Sequence, residues 1–153
     1  MKIDLYIVDK KGKSPLYTPL TEHYIKSCKQ FAKVEVHDIF DKNISKAQEI
    51  SPSKAQESYT KALEGFLPGG YNIALHPEGR EMSSEEFARL FKDKVSIRLF
   101  IGGAYGFEEG FIRQCNKSVS FGKITLSHRL AKLVAMEQIF RALTILNDHP
   151  YHK

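Results

Sequence analysis

The chain of 153 residues has only two cysteines, Cys28 and Cys115, and they stand far apart. Two isolated thiols make neither a disulfide framework nor the paired spacing of a zinc site. Reduced, structural cysteines are therefore expected, as in a cytoplasmic protein, and no metal is expected. Long apolar runs are also missing. Met1-Lys2-Ile3-Asp4-Leu5-Tyr6 enters a strand-like pattern directly, without the apolar stretch of a signal peptide, and no later segment reads as a membrane span. The G-x-G-x-x-G spacing of dinucleotide-binding folds is absent, as is the Gly-Lys-Ser/Thr of a Walker loop. No internal repeat or linker divides the sequence, so a single domain over residues 1–153 is expected.

What is present fits a globular chain able to bury its own core: 42 % of residues are hydrophobic and 27 % charged. Lys and Arg number 23 against 18 for Asp and Glu, a formal charge of +5. That surplus attracts an anionic partner without identifying one.

Strand and helix patterns alternate. Strands are expected at Lys2–Val8, Val34–Ile39, Tyr71–Leu75, Val95–Ile101 and Ser118–Phe121. Ser14-Pro15 and Ser51-Pro52 each combine a cap with a proline at the first helical position, predicting helices to about Phe31 and Phe66. Ser83 with Glu86 suggests a capping box, and Glu108–Asn116 a short helix. Residues 44–50 are ambiguous. A long amphipathic helix follows Ser127, with Leu130, Leu133, Val134, Phe140, Leu143 and Leu146 at helical spacing. This order implies an α/β fold with a mostly parallel sheet, whose ligands bind beyond the carboxyl ends of the strands.

Three segments carry candidate chemistry. Phe100-Ile101-Gly102-Gly103-Ala104-Tyr105-Gly106 runs from a strand into three glycines within five residues, which suits either a tight turn or close approach of a ligand. Gly122-Lys123-Ile124-Thr125-Leu126-Ser127-His128-Arg129 is either an irregular connection with Ser127 as cap or a main-chain grip for an adenine edge. Cations such as His128 and Arg129 are disfavoured at a helix start, a cost that sometimes marks function. Asn147-Asp148-His149-Pro150-Tyr151-His152-Lys153 reads as a frayed end or as a tail offering acid/base and stacking groups. Lys10, Lys11, Lys13, Arg129 and Lys153 are candidate phosphate contacts or plain solvated charges.

The three segments occur together, in this order, with Ser83-Ser84-Glu85-Glu86-Phe87-Ala88 and Glu137-Gln138-Ile139-Phe140-Arg141-Ala142. On that ordered set, which runs nearly end to end, the chain resembles the ribosomal RNA large subunit methyltransferase H family of the SPOUT superfamily. The resemblance implies a SPOUT-type α/β knot, a homodimer and S-adenosyl-L-methionine bound in the knot. It also implies methylation of N3 of a pseudouridine in a hairpin loop of 23S rRNA within the assembled ribosome. Cofactor contacts would fall at Leu75, Gly103, Gly122, Lys123, Ile124, Thr125, Leu126 and Ser127. His128, Tyr151 and His152 would serve catalysis, and Arg129 and Lys153 the substrate. Departures from the family pattern are Ser127 where proline is common, Phe121-Gly122 where the segment is usually Ser-rich, and Glu78-Gly79-Arg80 where a Gly-Lys pair is common. The competing readings are a non-catalytic ribosome-associated protein with this fold, and a SPOUT enzyme acting on tRNA.

Overall fold

Ile3, Leu5 and Ile7 alternate with Asp4, Tyr6 and Val8 along β1 (Lys2–Val8), and all six are buried. A strand covered on both faces belongs inside a parallel sheet, and the computed structural model, which describes residues 1–153, places it there. β1 is flanked by β2 (Lys33–Ile39) and β4 (Ser96–Ile101). β4 pairs with β3 (Tyr71–Glu81), and β3 with β5 (Lys117–Ser120). All pairings are parallel, in the order β2-β1-β4-β3-β5.

The alternation sorts the core into two clusters. On one face Leu5, Ile73 and Leu99 pack with Phe87, Met136 and Ile139 beneath α1 (Thr18–Cys28), α4 (Ser84–Arg89) and α6 (His128–Leu146). On the other, Tyr6, Ala74 and Phe100 pack with Ile44, Tyr59 and Phe111 of α2 (Lys42–Ile50), α3 (Pro52–Leu63) and α5 (Glu109–Gln114). Burying each large apolar side chain contributes roughly 1.5–3 kcal/mol before chain entropy is subtracted. No helix is long and apolar enough to cross a membrane.

Most helix starts follow the caps written in the sequence. The Ser51 hydroxyl accepts from Lys54 N at 3.1 Å, Ser83 and Glu86 form the reciprocal box, and Ser127 accepts from Leu130 N at 3.3 Å. The ambiguous stretch 44–50 is helical because Asp41 caps it, accepting from Ile44 N at 2.8 Å. Two expectations need correction. Ser14 does not open α1. Its hydroxyl accepts from Tyr17 N and its N–H donates to Thr18 Oγ1 at 2.7 Å, closing a turn, so the helix begins at Thr18 and stops at Cys28 instead of Phe31. β3 does not stop at Leu75 either. After an irregularity it pairs again with β5, Arg80 opposite Val119.

Gly79 sits in that irregularity, where a Cβ would stand 2.6 Å from the main-chain carbon of Val119. Backbone cannot move aside as a side-chain tip can. Gly79→Ala is therefore expected to lose about 1–3 kcal/mol of stability through overpacking, read from denaturant midpoints; an unchanged midpoint would contradict the close approach.

Candidate active site

Strands of a parallel sheet deliver the segments that follow them to one edge. At that edge the chain after β4, the chain after β5 and the turn inside β3 enclose a cavity of about 390 Å³, within the range of sites for drug-sized ligands. Leu75, Gly103, Gly122, Ile124, Thr125, Leu126, Ser127 and His128 all border it. Of the eight positions implied for the cofactor, Lys123 alone does not; its side chain is exposed.

The main chain of residues 123–126, which supplies the wall at Ile124, Thr125 and Leu126, has an unusual property. No backbone–backbone hydrogen bond engages it. Regular structure ends at Ser120, whose hydroxyl accepts from Gly122 N at 3.1 Å and donates to Gly122 O at 2.8 Å. Gly122 then turns at φ 120°, a conformation that favours glycine. From Lys123 to Leu126 the amides and carbonyls are left for solvent or a ligand, and main-chain groups demand partners. Ile101, Phe107 and Ala131 add apolar surface. An apolar slot edged by main-chain donors and acceptors suits a purine, so the residues present fit the adenosyl part of a methyl donor.

His76 and His128 are the titratable side chains on this wall. Burial favours the neutral His76 ring and pushes its pKa down from 6.5, while Glu78 pulls the other way. His128 opens α6 and pairs its Nε2 with Asp9 Oδ1 at 3.1 Å, while Arg129 Nε reaches Asp9 Oδ2 at 3.3 Å. A carboxylate can only accept, so Asp9 holds the proton on Nε2 and leaves Nδ1 of the neutral ring unprotonated. It also offsets the dipole cost of the Arg129 cation at a helix start. Sequence reading missed both His76 and Asp9. The available signal was position: each follows the carboxyl end of an inner strand segment.

The tail lies elsewhere on the protomer. It is ordered onto α6, with His149 N donating to Thr144 O at 2.9 Å. The Tyr151 ring packs on Phe140, centroids 4.7 Å apart, beneath the Arg141 guanidinium, and its hydroxyl donates to Glu137 at 3.0 Å. Arg141 donates to His152 Nδ1 at 3.2 Å, so His152 Nε2 carries the proton it donates to Glu85 at 2.9 Å. The Glu85 carboxyl, held by its own main-chain N–H and then by His152, is pulled down to about 2. Phe140 lies twelve residues beyond His128 on α6, about 18 Å of helix. The structure thus gathers the cofactor positions other than Lys123, together with His128, but does not bring Tyr151, His152 or the exposed Lys153 to the same protomer's cavity. Arg129 faces the neighbouring groove.

Residues 1–152 match the family described as predicted SPOUT methyltransferase. The chain belongs to the SPOUT methyltransferase family. It is 63 % identical over 153 residues to a protein of Sulfurovum sp. (strain NBC37-1), covering the whole of both chains. It is 44 % identical over 155 residues to proteins of Wolinella succinogenes and of Helicobacter pylori (strain Shi470), again over the whole of both chains. All three relatives are named ribosomal RNA large subunit methyltransferase H.

In this SPOUT methyltransferase Cys28 and Cys115 are both free, and burial pushes each thiol up to about 12, so neither offers a thiolate for chemistry. Asp4, Glu35 and His37 cluster with ligand atoms within 4.8 Å. Lys2 and Lys33 already pair with the two carboxylates, which makes this an ion-pair network on β1 and β2.

His76 links the site to acid stability. Its folded pKa lies below the unfolded value, so the unfolded chain binds the proton first as pH falls. The stabilisation from a neutral His76 is complete above 6.5 and is lost below it. His76→Gln should therefore flatten the fall in stability between about pH 7 and 5, measured by denaturant titration at each pH; identical slopes in both proteins would contradict the assignment.

Proposed function

We propose that this SPOUT methyltransferase transfers a methyl group from S-adenosyl-L-methionine to a base of large-subunit ribosomal RNA: N3 of a pseudouridine in a 23S hairpin loop, within the assembled ribosome. The observation that carries the reading is the main chain of residues 123–126, free of backbone hydrogen bonds, which walls the cavity at Ile124 to Leu126 beside His128. The names of full-length relatives support the class of RNA. A ribosomal substrate places the activity in the cytoplasm, and family membership carries with it the expectation of a trefoil knot around the cavity segments.

S-adenosylmethionine supplies an electrophilic methyl carbon on a sulfonium. What the protein adds is alignment and proton handling. Main-chain groups around Gly103 and from Gly122 to Ser127 fix the donor, and such positioning can contribute on the order of 7–11 kcal/mol. Apolar Leu75, Ile101 and Leu126 keep water from the site. The N3–H of a uracil-type ring must lose its proton. His128 Nδ1, with Nε2 anchored by Asp9, accepts it, and Asp9 then faces the imidazolium. A positioned base contributes typically 10²–10⁴-fold.

Tyr151, His152 and Lys153 enter through a homodimer in which one protomer's tail lies beside the other's cavity. Support comes from their separation from their own cavity along α6 and from the exposed ring of Tyr151. His128→Ala is expected to slow single-turnover methylation of assembled ribosomes by roughly 10²-fold or more, with donor affinity by calorimetry little changed; unaltered turnover would remove His128 from the chemistry. Mixing inactive His128→Ala and Tyr151→Ala proteins should restore activity, because mixed dimers then hold one site with both residues. No recovery after subunit exchange would place the tail's action within one protomer, against the arrangement proposed.

A further inference from the structure

A second groove opens beside the cavity, at the same carboxyl edge of the sheet, between the segment that follows β1 and the start of α6. Five cationic side chains line it: Lys10, Lys11, Lys13, Arg129 and Lys132. Arg129 and Lys132 are matched, to Asp9 at 3.3 Å and Asp38 at 2.8 Å. The three lysines of the loop are different. All are exposed, and no carboxylate stands within ion-pair distance of any of them. Lys10 Nζ stands over the Phe40 ring, 5.7 Å from its centroid.

The loop that holds them is shaped and anchored. Gly12 takes φ +144°, which a side chain would resist. The turn through Ser14, Tyr17 and Thr18 ties the loop to α1, and these three residues line the groove. Unpaired ammonium groups crowded on one fixed loop repel one another. A polyanion lying along the groove removes that cost and releases its own counterions. A phosphodiester strand has the required repeat of charge.

The position connects groove to site. Asp9 contacts His128, on the cavity wall, with one oxygen and Arg129, on the groove wall, with the other. The geometry points to this groove as the track for the backbone of the RNA substrate: Lys10, Lys11 and Lys13 hold phosphates adjoining the nucleotide whose base enters the cavity at His128. This rests on the reading of the cavity as an RNA-methylating site, and it adds where the strand runs and which residues grip it.

The test uses the full-length protein and assembled ribosomes purified from a strain lacking the enzyme. Binding to ribosomes is measured without methyl donor over a series of KCl concentrations, for the parent, for Lys10→Gln/Lys11→Gln/Lys13→Gln, and for the corresponding triple Lys→Arg protein. The parent should bind with a steep salt dependence. The Gln triple should bind at least tenfold more weakly at low salt, with a log–log slope shallower by about 2, the loss expected for three single-strand phosphate contacts. The Arg triple should follow the parent. An unchanged affinity and slope in the Gln triple overturns the proposal. So does equal loss in the Arg triple, which would show that loop structure and not charge was responsible. Methylation is read in parallel. Lysine-dependent, salt-sensitive binding with no methyl transfer by the parent would refute the reading of the cavity and leave the groove standing.

Discussion

A Cβ at Gly103 would stand 2.6 Å from the Tyr59 ring, and one at Gly79 2.6 Å from the main chain of Val119. These two close approaches set the dimensions of the site. The first presses the loop after β4 onto α3, where the Tyr59 hydroxyl donates to Gln48 and cannot easily give way. The second draws the turn of β3 against β5. Between them the chain leaving β5 must cross the sheet edge as open main chain, and the cavity is the space that remains. The glycines are therefore needed first for packing, and the ligand surface is a consequence of that packing.

Function divides along the edge so formed. The cavity is walled by main chain and apolar side chains, with two histidines as its titratable groups. Charge is placed outside it. Along α6, one concentration is the network of Glu85, Glu137, Arg141 and His152 at the far end; another is the lysine loop beside its near end. Asp9 is the carboxylate that contacts both His128 on the cavity wall and Arg129 on the groove wall, and its 11 % side-chain exposure places it where Coulombic interactions are screened less than at the surface. A neutral cavity flanked by charge can accept an uncharged base while the surrounding backbone is held electrostatically.

Much of this arrangement was legible in the residues. Ser51, Ser83 with Glu86, and Ser127 are local signals, and local hydrogen bonds decide helix starts, so three caps were read correctly. The Ser14-Pro15 signal failed because Thr18 offers the same hydroxyl chemistry four residues later and closes a turn instead. β3 ran past its apparent end because its outer half is fixed by pairing with β5, a contact between distant residues that no window reveals. The same limit hid Asp9 and His76, whose meaning depends on strand order. The segment 122–127 read from its residues as either an irregular connection or a main-chain grip, and the resemblance chose between them. Its most telling property, a main chain from 123 to 126 without internal partners, is an absence that sequence does not record. The tail was readable as frayed or functional, and its docking on Phe140 and Arg141 was visible only in three dimensions.

The central claim is that the main chain from Gly122 to Ser127 holds the methyl donor. A crystal structure of the full-length protein soaked with S-adenosylhomocysteine, the spent donor, tests it most directly. The account predicts the adenine in the cavity, its edge bonded to amides and carbonyls of residues 123–126, with the sulfur on the His128 side. Density for the nucleoside at any other surface, or a cavity left empty at concentrations that saturate the protein in solution, would contradict it.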